Sequence, residues 1–312
     1  MKVLSIILII VFILIVSMTI GVTMFTFYHP EKNRVVPKVI TEFDREYYGT
    51  HTDELIRAMD EMDETETETV FIVSDDGYKL RGHLFIRDIS KPFILFAHGY
   101  HGTYMRDGYG SYLISKKTGL NILMIEQRAH GKSEGNFITF GVKERCDVFR
   151  WIEFLNDKYN NPEIVLSGVS MGAATVMMAA GLELPGNVKG IIEDCGYTSP
   201  KEIIINTAKG MKLPGKTLYP FARIGAMIAS KADMNSCKAI ECMKDTKLPV
   251  MFIHSKTDGF VPFEMNNRLY EVCDSDKMRL IIEDTAHAVT ALYHYPEYEC
   301  EILKFLQKIK VI

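Results

Sequence analysis

The sequence predicts an α/β domain with a mostly parallel central sheet, standing behind a membrane-length apolar segment at the N-terminus. Three observations carry that expectation. Beyond residue 90, short apolar runs alternate with helix-length segments, the pattern of parallel strands joined by crossover helices. Just before them, Val70, Ile72, Leu80, Gly82, Leu84 and Ile86 alternate around an Asp76-Gly77 turn, which marks a hairpin. From Val3 to Tyr28 no side chain is charged and most are Ile, Leu, Val, Met or Phe.

That first segment, residues 1–30, is expected to be a transmembrane anchor. As a helix, Val3 to Tyr28 would reach about 39 Å, more than the roughly 30 Å of a hydrocarbon core, so it can span with some tilt. A cleavable signal peptide has a shorter apolar stretch and a small-residue cleavage site, whereas this run ends in Met24-Phe25-Thr26-Phe27-Tyr28. A buried core helix fits poorly with so long a charge-free run at the extreme N-terminus. Lys2 flanks one end and Lys32, Arg34 and Lys38 the other, so charge gives no clear vote on orientation; the extracytoplasmic side is favoured only slightly for the domain.

Residues 31–68 read as a polar, partly helical juxtamembrane connector ending in an acidic, threonine-rich linker from Asp60 to Glu68. The folded domain is expected over 69–312. Its apolar runs are Phe93 to Ala97, Asn121 to Ile125, Glu163 to Val169, Val188 to Ile192, Pro249 to Ile253 and Met278 to Ile282. Helices are expected at Val142 to Tyr159, Met171 to Gly181, Pro262 to Cys273 and Pro296 to Ile309. About fifty residues separate Glu193 from Pro249, too many for a simple crossover, so a small helical cap is expected at 197–246, with Pro214-Gly215 as an internal breaker.

Composition narrows the function. With 47% apolar and 24% charged residues the chain is ordinary globular protein, and a net charge of −4 provides no electrostatic footprint for nucleic acid. The six cysteines show no tight disulfide framework, and Cys237 and Cys242 have neither the spacing nor the second pair of a zinc knuckle, so they read as buried thiols.

The chemistry centres on Glu163 to Ala174, a buried strand running into a sharp turn and a helix of small residues. It contains Gly168-Val169-Ser170-Met171-Gly172, a G-x-S-x-G pattern. A nucleophile thrust out of a strand-to-helix turn sits on strained backbone, and flanking glycines relieve the crowding. Here the sequence resembles the alpha/beta-hydrolase superfamily over most of residues 69–312. Phe93 to Gly102 looks like that family's strand and oxyanion loop. Gln127 to Ser133 looks like its D-x-R-x-x-G-x-S turn, with Gln127 where an acid is more usual. Asp258, in the loop after Val250 to His254, matches the acid, and His287, after Leu280 to Ile282, matches the base. The resemblance takes in membrane-anchored bacterial hydrolases of the lysophospholipase, depalmitoylase and serine aminopeptidase-like types.

The resemblance implies an alpha/beta-hydrolase fold and a catalytic triad of Ser170, Asp258 and His287. Gly168 and Gly172 would form the nucleophile elbow, and the N–H groups of Tyr100 and Met171 the oxyanion hole. Asp194, also after an apolar run, is the alternative acid. His98 and His101 read as shaping the oxyanion loop, His130 and His254 as structural. The expected activity is cleavage of an ester, thioester or amide through an acyl-enzyme; acyl transfer with the same triad and a non-catalytic binding scaffold are the alternatives. Protein groups supply nucleophile, base and oxyanion donors, so no metal or organic cofactor is implied. The expected partners are a small-molecule or lipid substrate and, through residues 3–28, a bilayer. The sequence leaves the oligomeric state open.

Overall fold

A computed structural model describes residues 2–36 and 38–312; Met1 and Pro37 lie outside the described residues. Eight strands form one sheet: β1 Glu68–Val73, β2 Lys79–Phe85, β3 Phe93–Ala97, β4 Asn121–Ile125, β5 Ile164–Val169, β6 Val188–Asp194, β7 Val250–Ser255 and β8 Lys277–Ile282. Their order across the sheet is β1-β2-β4-β3-β5-β6-β7-β8; β2 pairs antiparallel with both β1 and β4, and the remaining pairs are parallel. Strands β3, β4, β5 and β7 are buried at every position. Helices cover both faces, which is why these strands are continuous apolar runs and not alternating ones. The hairpin pairs Val70 with Gly82 and Ile72 with Leu80, as its alternation requires.

The helices are α1 Lys2–Phe27, α2 Glu42–Tyr48, α3 Thr52–Glu64, α4 Tyr104–Asp107, α5 Tyr109–Thr118, α6 Glu144–Tyr159, α7 Met171–Ala179, α8 Pro200–Gly210, α9 Gly215–Ser230, α10 Ala239–Asp245, α11 Phe263–Val272, α12 Thr290–Tyr293 and α13 Tyr295–Lys308. Between β6 and β7 the long connection carries α8, α9 and α10. Helices α8 and α9 pack on each other, while α10 lies against α7 and α11 beside the sheet.

Two N-terminal regions differ from a tether and a free linker. Residues 42–64 fold into α2 and α3, the first started by a reciprocal Thr41–Asp44 capping box. Helix α3 buries Leu55, Ala58, Met59 and Met62 on one face while Asp53, Asp60, Asp63 and Glu64 are exposed. Four apolar positions at helical spacing suffice to dock it, though charges dominate its composition. Helix α1 contains a stretch, Val3–Phe27, long and apolar enough to cross a membrane. Its side chains from Val3 to Met18 are exposed, but Thr23 and Phe27 are buried. The C-terminal turns pack on α9, where a Cβ at Gly225 would lie 1.5 Å from Thr23 Oγ1. The chain after α1 is also fixed, with Ile138 N donating to Phe27 O at 2.8 Å and His29 N to Asn136 O at 2.8 Å.

Candidate active site

The side chains singled out from the sequence converge at the C-terminal edge of the sheet, where loops leave β3, β5, β7 and β8. Ser170 follows β5 directly, with φ 56° and ψ −115°, a backbone conformation rare for a residue with a side chain. The flanking glycines permit it. A Cβ at Gly168 would lie 2.4 Å from the Gly172 carbonyl carbon, and one at Gly172 would lie 2.0 Å from Ala97 O. The turn is locked from behind by Ser170 N donating to Asp194 O at 2.8 Å.

His287 Nε2 lies 2.8 Å from Ser170 Oγ, and its Nδ1 lies 2.6 Å from Asp258 Oδ2. The second Asp258 oxygen accepts from Phe260 N and Val261 N, each at 2.8 Å. Burial opposes ionisation of Asp258, but the hydrogen bond and charge of His287, with His254 and the Phe260 N–H, outweigh it and hold the carboxyl below its ordinary value. The network therefore assigns the proton on Nδ1 toward Asp258 and leaves Nε2 to accept from the serine. The acid and histidine loops are tied together, with Ser255 Oγ donating to Thr285 O at 2.7 Å and Thr285 N to Thr257 Oγ1 at 3.0 Å.

The loop after β3 passes close to the serine: a Cβ at Gly99 would meet Ser170 Cβ at 3.4 Å. Gly99 N donates to Asp107 at 2.7 Å, and Arg106 binds both Asp44 of α2 and the His101 carbonyl. Among the described residues, the N–H groups of Tyr100 and Met171 have no protein acceptor. Met171 is the first residue of α7, so its N–H also carries the positive end of the helix dipole.

Asp194 does not reach His287 as Asp258 does. It is buried with Oδ1 unpaired, and burial, opposed by His287 and reinforced by Asp258, pushes its pKa up to about 7. Gln127 is buried and functions as a clamp: its N–H donates to His98 Nε2 at 3.1 Å, its amide to His98 O at 2.5 Å, and its Oε1 accepts from Thr175 of α7 at 3.2 Å. The acid of the turn motif stands one position earlier, at Glu126, which accepts from Lys132 N at 2.6 Å and from His83 at 2.9 Å. His130 accepts from His101 N at 3.1 Å, and His254 hydrogen-bonds Val261 O at 3.0 Å. Burial holds His98, His101 and His130 below the ordinary histidine value, His101 to about 4.

Sequence reasoning missed several contributors. Tyr47 of α2 donates to His287 O at 2.6 Å, and Phe260 packs its ring 5.1 Å from the His287 ring. Cys195 lies close by, with ligand atoms of Cys195, Asp258 and His287 within 4.8 Å of one another. Both His287 nitrogens are engaged, and burial followed by the Asp194 and Asp258 charges raises the thiol, so this trio is a poor cation cradle. Cys237 and Cys242 are free, their sulfurs 3.7 Å apart.

A family model described as alpha/beta hydrolase fold matches residues 92–213. Among curated sequences, the uncharacterized protein YqkD of Bacillus subtilis is 24% identical over 268 residues, covering 85% of this chain and 88% of its own. The thiohydrolase aneE of Aspergillus aculeatus is 30% identical over 125 residues, 39% of each chain. Among solved structures, the Pyrococcus furiosus esterase Pf2001 superposes with a TM-score of 0.65 at 22% identity, covering 91% of this chain and 98% of that one. This sheet and this strand-to-helix turn, with the family match over residues 92–213 and the superposition on the esterase, give the chain the alpha/beta-hydrolase fold.

Proposed function

We propose that this chain is a membrane-anchored serine hydrolase that cleaves an ester, thioester or amide through an acyl-enzyme on Ser170. The observation that carries the reading is the unbroken hydrogen-bond chain from Ser170 through His287 to Asp258. In the reaction, His287 Nε2 takes the hydroxyl proton as Ser170 Oγ attacks the acyl carbon, and Asp258 stabilises the imidazolium formed. The carbonyl oxygen becomes an oxyanion facing the N–H groups of Tyr100 and Met171, each such donor being worth about 3 kcal/mol of barrier. The tetrahedral adduct collapses, and His287 returns the proton to the departing alcohol, thiol or amine. Water, deprotonated by the same nitrogen, then releases the carboxylic acid and restores Ser170.

Anchoring, in preference to a cleaved signal, is supported by the way α1 enters the domain. Phe27 is 1% exposed and pairs edge-on with Phe140 at 5.7 Å, so cleavage after it would strip a core contact. The names of the esterase and the thiohydrolase agree with acyl-bond chemistry without choosing the leaving group. The test is a panel of p-nitrophenyl esters and matched thioesters. The wild-type protein is expected to release acid with turnover, and Ser170→Ala to lose at least about 10⁴-fold in kcat. Equal rates for the two proteins would remove the reading.

A further inference from the structure

We propose that α1 is part of the substrate site: its last turns wall the acyl cavity, so the long acyl chain of a membrane lipid passes from the bilayer along α1 to Ser170. This rests on the acyl-hydrolase reading above and names its substrate class. A cavity of about 680 Å³ opens beside the triad, with His287 and Phe260 at one end. That is the size of a small-molecule ligand pocket, commonly about 300–1,000 Å³. Gly21, Val22, Phe25 and Thr26 of α1 form one side, facing Ile204 of α8 and Leu218 of α9. The lining is mostly apolar, which suits a hydrocarbon chain better than a charged headgroup.

The position of the cavity along α1 points to a bilayer as the source. Val3 to Met18 is exposed throughout, and these 16 residues span about 24 Å, most of the roughly 30 Å of a hydrocarbon core. Gly21 therefore emerges at the membrane surface, where the cavity begins. The cavity's rim is apolar and exposed at Met211 and Leu213, and α9, packed on α1, presents Ile224, Met227 and Ile228 outward. Lys212, exposed between Met211 and Leu213, is placed to reach an anionic headgroup. The wall is also coupled to the chemistry, because Tyr100 OH donates to Thr26 O at 3.1 Å and Tyr100 carries an oxyanion N–H.

The test compares kcat/KM for butanoyl and dodecanoyl esters in reconstituted full-length protein. Each buried methylene is worth up to about fourfold, so the wild type should favour the longer chain strongly. A Cβ at Gly21 meets nothing within 4 Å, so Gly21→Trp should fold while filling the cavity mouth. It is expected to lower the dodecanoyl-to-butanoyl ratio at least tenfold, whereas Ile13→Trp, on the exposed part of α1, leaves the ratio alone. An unchanged ratio in Gly21→Trp would overturn the proposal. As a second measurement, an alkyl fluorophosphonate with a diazirine at the tail, delivered in phospholipid vesicles, should crosslink to residues 21–26 after reacting at Ser170. Reaction at Ser170 with crosslinks only elsewhere overturns the role of α1, and crosslinks obtained only from an acylated peptide overturn the lipid as the source. Absence of reaction at Ser170 instead overturns the hydrolase reading on which the proposal rests.

Discussion

Two carboxylates lie near His287, and their surroundings assign them opposite states. Asp258 accepts three hydrogen bonds and is held ionised, whereas Asp194 is buried with an unpaired oxygen. Asp258→Asn is expected to lower kcat by about 10⁴-fold through the wrong histidine tautomer. Asp194→Asn should keep the activity and change how stability depends on pH. Asp194 stays protonated in the folded protein up to about pH 7 but ionises near its ordinary value, 3.8, in the unfolded chain. The native state therefore loses stability as pH rises from about 4 to about 7, and asparagine removes that loss. The stability of Asp194→Asn relative to wild type should rise by about 2–3 kcal/mol between pH 5 and pH 8, read by urea unfolding at each pH. A constant difference would contradict the burial argument. At this scale the meeting of Ser170, Asp258 and His287 was legible because Ser170 follows β5 directly and the other two lie in the loops after β7 and β8. Tyr47 was not: it reaches His287 across 240 residues of chain, and no local pattern records such a contact.

The elements were legible where periodicity was undiluted. Strands β3 and β4 have the bounds expected from their apolar runs, and the hairpin follows its alternation. The docking of helix α3 was hidden because charged residues outnumber the four apolar ones that it buries. The docking of α1 was hidden for the reverse reason, since an all-apolar helix reads the same whether it faces lipid or protein. That docking turns on a small contact, Thr23 against Gly225, with Thr23 Oγ1 fixed on Thr19 O at 2.6 Å. Gly225→Ala should separate α1 from α9 at a cost of about 1–3 kcal/mol. The separation should appear as faster protease cleavage between residues 28 and 41. Adding Thr23→Gly, which clears the space, should restore much of the protection. If Gly225→Ala is cleaved at the wild-type rate, the helix pair does not hold α1 as described.

Over the whole molecule, the sheet fixes four loops at one edge, and the N-terminal elements then close on that edge from outside. Helix α2 touches the His287 loop through Tyr47 and, through the Asp44–Arg106 pair, the loop after β3 that carries Tyr100. Helix α1 reaches the same place through Thr26 and Tyr100. The apparent tether is thus built into the site, which a reading of the chain as anchor, linker and domain in series did not anticipate. Intact-mass analysis of membrane-extracted protein treated with a fluorophosphonate tests the central claim most directly. The expected result is a chain that retains α1 and carries one adduct at Ser170, with no adduct on Ser170→Ala or His287→Ala. A folded wild-type chain that carries no adduct would contradict an activated serine.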